Sequence, residues 1–157
     1  MKGLAMDMRM KFLSDSMRMI DFCMLSTRTE GDAFASRPMS NNGEVDYDGT
    51  SHFFTYEQAR TVADIERHAS VGLTFTGSPG RAGQAPLFIA VEGSAELIRD
   101  KAMFEGHWTA GLDRWFQQGI DTPGIVMIRV HALRIHYWHG AEQGEIALQV
   151  RANRTAA

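Results

Sequence analysis

Two arginines are the residues of this chain best placed to do chemistry. Arg37 sits in FASRPM and Arg60 in TYEQAR, each just beyond a short apolar, strand-like run, and core packing requires neither. A guanidinium stays charged and presents a planar fork of donors that matches carboxylate or phosphate oxygens. Thr55, followed three residues later by Gln58, reads as a capping box and predicts a helix start, with Arg60 little more than one turn inside. A helix start offers unpaired backbone N–H groups and a partial positive charge. If the strand carrying Arg37 lies beside the strand ending in Thr55, both guanidiniums reach one place, and a dianionic phosphate is the natural ligand. The alternative is that Thr55 only caps and both arginines pair with surface carboxylates. The residues alone leave both open.

The remaining chemistry-bearing residues point elsewhere. The six histidines form no HExxH pattern, and His136 and His139 fall on opposite faces of a strand, so no metal site is expected. Cys23, the single cysteine, lies in the apolar run FCML and reads as a buried, inert thiol. GSPGRAGQ matches neither a Walker loop nor a dinucleotide fingerprint and reads as a hairpin turn. Trp108 and Trp115 read as packing residues, and His52, His107 and His131 have no identifiable partner. No residue is an evident acid, base or nucleophile.

The elements that must position the arginines follow from periodicity. Leu13, Met17 and Ile20 predict an amphipathic helix over Lys11 to Asp21. CMLSTR and AFASRPM, separated by Thr29-Glu30-Gly31-Asp32, predict a hairpin, and a polar loop leads on to the strand SHFFT. Helical spacing returns from Tyr56 to Ala69, then VGLTFT and the long run PLFIAVEGSAELIRD predict strands. Asp100 to Gln117 is again helical in pattern, and IVMIRV and LRIHYW predict two more strands. The order suggests one α+β domain over residues 1–157, built on a closed or nearly closed antiparallel sheet, with its core about 11–140 and a tail about 145–157.

Composition excludes some partners. A formal net charge of −3 with scattered basic residues argues against a nucleic-acid surface. The longest apolar run, Leu87 to Val91, is far short of a membrane span, and the charged amino terminus MKGLAMDMRMK does not read as a signal peptide. The expected compartment is the cytoplasm.

The order of these pieces resembles the pyridoxamine 5′-phosphate oxidase-like FMN-binding split-barrel family, in its general stress protein branch. MLST, SRPM at Ser36 to Met39, FFT at Phe53 to Thr55, VEGSAELIRD, the Trp108 and Trp115 segment and the strand ending in Tyr137-Trp138 carry the resemblance. It implies a six-stranded antiparallel split β-barrel with flanking helices, a homodimer with FMN at the interface, and a small-molecule substrate or electron donor. By resemblance the cofactor contacts are Ser36, Arg37, Met39, Phe54, Thr55, Arg60, Thr61 and Trp138, the last across the dimer. Thr61 stands where the family usually has lysine, and no Arg/His pattern follows YWHG to hold pyridoxine phosphate. The resemblance therefore implies a flavin-dependent oxidoreductase rather than a pyridoxamine-phosphate oxidase. A non-catalytic protein that binds flavin, haem or a deazaflavin is the alternative.

Overall fold

The computed structural model describes residues 2–43, 45–77 and 83–149. In chain order the elements are α1 (Lys2–Met17), β1 (Phe22–Arg28), β2 (Phe34–Ser40), β3 (Thr50–Tyr56), α2 (Arg60–Arg67), β4 (Ser70–Gly77), β5 (Leu87–Ile98), α3 (Lys101–Glu105), β6 (Ile125–His139) and β7 (Glu142–Ala147). Two 3-10 turns, Ala110–Leu112 and Gly119–Asp121, lie between α3 and β6. Six strands are hydrogen-bonded in the order β2-β1-β4-β5-β6-β3, all antiparallel, and β7 pairs with β6.

The hairpin of β1 and β2 forms as expected, with Leu25 opposite Arg37. Alternation also holds along β5, whose Leu87, Ile89, Val91 and Ala95 face the core. Four expectations shift, each for a physical reason. The first helix ends at Met17 because Asn41 Nδ2 donates to the carbonyls of Met17 and Ile20, at 2.9 Å each, and closes it there. Thr55 is no cap: β3 runs through it to Tyr56 because both pair with β6, at Val126 and Ile125. The helix then begins at Arg60, and its N-cap Ala59 makes no side-chain capping hydrogen bond. Tertiary pairing has overridden a local signature.

In the third case, the segment Asp100 to Gln117 is helical only to Glu105, where Asp100 caps the start through the Ala102 N–H. Gly106 and Gly111 interrupt it, each at a helix cost of roughly 1 kcal/mol relative to alanine. Its apolar residues still find cover: Phe104, Leu112 and Phe116 pack with Phe54, Ile98, Ile125 and Met127 in a second, smaller core.

In the fourth, β6 is a single long strand rather than two. Opposite β5 the register shifts between Glu92 and Gly93, and Leu133 is left as the extra residue. This bulge swaps which positions face inward: Ile128, Val130 and Ala132 are buried before it, Ile135 after it. The change of parity is what makes the sequence look like two strands. Gly93 permits the close approach, since a Cβ there would lie 2.7 Å from Val130 Cγ1. The expected tail is corrected as well, because Glu142–Ala147 forms β7 along the edge of β6. Most of the Gly/Pro-rich β4–β5 connection, residues 78–82, and residues 150–157 lie outside the described residues.

Candidate functional site

The condition that brought the two arginines together in the sequence is not met, since β2 and β3 stand at opposite ends of the hydrogen-bonded strand order. Both are instead linked to α2, which Arg60 begins and whose buried Asp64 lies 3.7 Å from Arg37. After β3 the chain turns into α2, which packs against β1 and β5. Thr61, Val62, Asp64 and Ile65 form its buried face.

Asp64 is 0% exposed, and it is the one fully buried charged group among the described residues. Thr27 of β1 donates its hydroxyl to Asp64 Oδ2 at 2.8 Å, and Arg67 Nη2 donates to Oδ1 at 2.7 Å. Arg37 Nη2 lies 3.7 Å from Oδ2, while its Nη1 donates to Thr27 Oγ1 at 2.7 Å and to the Leu25 carbonyl at 3.3 Å. The carboxylate is thus paired and hydrogen-bonded, as a buried charge must be.

Arg60, the first residue of α2, is exposed and makes no hydrogen bond or ion pair among the described residues. It is close enough to Arg37 to act on its charge. Burial pushes the Arg37 pKa below its usual value, Asp64 pulls it up, and Arg60 presses it down. The guanidinium remains charged. Two guanidiniums, Arg37 and Arg67, share the one carboxylate of Asp64, and Arg60 adds a third positive charge at the start of α2.

The other expected residues scatter. Thr61 is buried beside this cluster, and Thr55 is half-buried at the end of β3. Ser36 is on the outer face of β2, its hydroxyl 2.7 Å from that of Ser26. Met39 faces the core opposite Cys23, whose thiol burial pushes up to about 12. Phe54 is buried against Phe104 and Trp108. Trp138 lies near the opposite end of β6 from Val126, the partner of Thr55.

Sequence reading missed Thr27, Asp64 and Arg67. The spacing of Arg60, Asp64 and Arg67 along one helical face was the available signal. It also missed a second arginine-centred cluster. His52 and His107 stack at 3.7 Å between ring centroids, and Arg129 Nε donates to His52 Nε2 at 3.2 Å. Burial, then His107 and Arg129, pull the His52 pKa down to about 4. Among the described residues no group of three or more His, Cys, Asp or Glu is placed to hold a metal, and no helix is long and apolar enough to cross a membrane.

The family model described as pyridoxamine 5′-phosphate oxidase like matches residues 8–156. The chain belongs to this family. Its fold is the split barrel of solved relatives that include proteins of the general stress protein type. A protein related to general stress protein 26 from Clostridium acetobutylicum is 19% identical, with 94% of this chain and 95% of that one covered and a TM-score of 0.68. General Stress Protein 26 from Bacillus anthracis is 22% identical over 89% of this chain and 97% of that one, with a TM-score of 0.68. A heme binding protein from Mycobacterium smegmatis is 10% identical over 85% of this chain and 57% of that one, with a TM-score of 0.66. No curated protein matches the chain in sequence.

Proposed function

We propose that this member of the pyridoxamine 5′-phosphate oxidase-like family is a homodimeric FMN-binding protein acting as a flavin-dependent oxidoreductase on a small molecule. The observation that carries the reading is Arg60, a guanidinium at the start of α2 with no hydrogen bond or ion pair among the described residues, whose charge acts on the partly buried Arg37. Two like charges that act on each other favour an anion between them, and a phosphomonoester suits both the guanidiniums and the start of α2.

In this reading Arg37 and Arg60 hold the phosphate, with the α2 backbone and Thr55 beside it. Thr61 contributes at most a neutral hydroxyl. FMN supplies the two-electron chemistry, and the protein supplies binding, orientation and electrostatics. The outer sheet face supports a second copy as partner. Phe88 and Trp138, 45% and 37% exposed, are directly opposite each other on β5 and β6, and Phe22 and Met24 are exposed on β1. We read this apolar face as the dimer interface, and a dimer through it would bring Trp138 of one copy to the other's cofactor. Trp138→Ala together with Phe88→Ala should then lower the apparent mass in sedimentation; an unchanged mass would place the interface elsewhere.

A binding role without turnover, for flavin, a deazaflavin or haem, is the second reading, favoured by the likeness to a heme binding protein. The visible absorption spectrum of the protein as isolated tests the first. A flavin spectrum, with a thermal midpoint that rises on adding FMN, is expected; a colourless protein indifferent to FMN overturns it. Anaerobic mixing of the yellow protein with NADH or NADPH then separates the two readings, since an enzyme of this type bleaches and a carrier does not.

A further inference from the structure

Asp64 has no obvious place in a site for anions, because a carboxylate repels what the arginines attract. Nor does stability explain it. A buried ion pair is commonly no better than well-packed apolar residues of similar volume, and the desolvation of the carboxylate is a standing cost. What Asp64 does in the structure is fix two guanidiniums. Its Oδ1 takes Arg67 and its Oδ2 takes the Thr27 hydroxyl, with Arg37 at 3.7 Å. Thr27 is both donor to Asp64 and acceptor from Arg37, so the three side chains form a chain in which each holds the next. Arg37 would otherwise be a long, flexible side chain on the edge strand β2. With Arg67 neutralising much of the carboxylate, the charge of Arg37 remains available to an outside ligand.

We propose that Asp64, acting through Thr27, is the positioning residue that aims Arg37 at a phosphomonoester shared with Arg60. The inference rests on the reading that FMN is held by its phosphate at these arginines. It makes a prediction opposite in sign to simple electrostatics. Removing a negative charge beside an anion site should tighten binding if Asp64 were a bystander. If Asp64 positions Arg37, removing its charge weakens binding.

The test is titration of the intact protein with FMN and, separately, with riboflavin, which lacks the phosphate. For Asp64→Asn, FMN affinity should fall about tenfold, in the range of one charge-assisted contact, while riboflavin affinity holds, so the preference for FMN shrinks. Thr27→Val keeps the side-chain shape, removes the linking hydroxyl and should move the preference in the same direction, even if Asp64→Asn fails to fold. Equal or tighter FMN binding by a folded variant overturns the positioning role. A parallel loss for both ligands makes Asp64 merely structural and overturns it too. Absence of FMN binding by the unaltered protein is a different failure, one that removes the phosphate reading and this inference together.

Discussion

Two arginines sit at the centre of two clusters on one sheet, and their surroundings differ in charge. Around Arg37 the neighbours are a buried carboxylate and further guanidiniums; around Arg129 they are two stacked imidazoles, with Glu96 at 3.4 Å. In the first cluster the carboxylate keeps the guanidinium fixed, and positive charge is left over for a ligand. In the second, Arg129 donates to an imidazole that must be neutral to accept. An arginine held by a carboxylate among other cations suits anion binding. One that donates to a histidine as well as to an exposed carboxylate makes a contact that depends on pH.

Arg37→Ala should have the largest effect, because it touches both binding and stability. FMN affinity should fall about tenfold to a hundredfold, and unfolding should be easier by about 1–3 kcal/mol, since Asp64 loses one of its partners in a buried site. Chemical denaturation and flavin titration read the two separately. Arg60→Ala should cost a similar factor in affinity yet leave stability within about 0.5 kcal/mol, as expected of an exposed side chain without partners among the described residues. Equal stability losses in the two variants would erase the distinction between a fixed and a free guanidinium.

The histidine cluster should show itself in acid. The His52 pKa near 4 in the folded protein lies below the usual value of 6.5, so the unfolded chain takes up the proton first. Stability is therefore fully present above about pH 6.5 and is lost progressively as pH falls towards 4. His107, lowered as well by burial and by Arg129, adds to the same limb. Because His52 is partly solvated, the loss is discounted to about 1–2 kcal/mol. His52→Gln should flatten that limb in thermal midpoints measured across pH. The smallest effect is expected from Arg129→Gln: the acid limb should weaken as His52 loses a repelling charge, while FMN affinity stays unchanged. A fall in FMN affinity there would mean that the two clusters are one site.

Much of this architecture could be read from residue patterns. The β1–β2 hairpin and the alternation of β5 depend on local spacing, which sequence displays. The failures came where distant parts of the chain decided the outcome. Thr55 and Gln58 spell a cap, but the pairing of Thr55 with Val126 holds the position in a strand. Phe104, Leu112 and Phe116 have helical spacing, yet packing on Phe54 is reached through turns. The bulge at Leu133 concealed one strand as two. Asp64 could not be recognised as buried, because only the crossing of α2 onto β1 makes it so. The stack of His52 on His107 joins β3 to the turn after α3, which no spacing reveals.

The central claim is that this chain holds a flavin by its phosphate at Arg37 and Arg60, and the most direct test compares FMN with riboflavin on the unaltered protein. Fluorescence titration should show FMN bound at least about tenfold more tightly than riboflavin, the difference expected of one or more charge-assisted phosphate contacts. Equal affinity for the two, or none for FMN, would contradict the account.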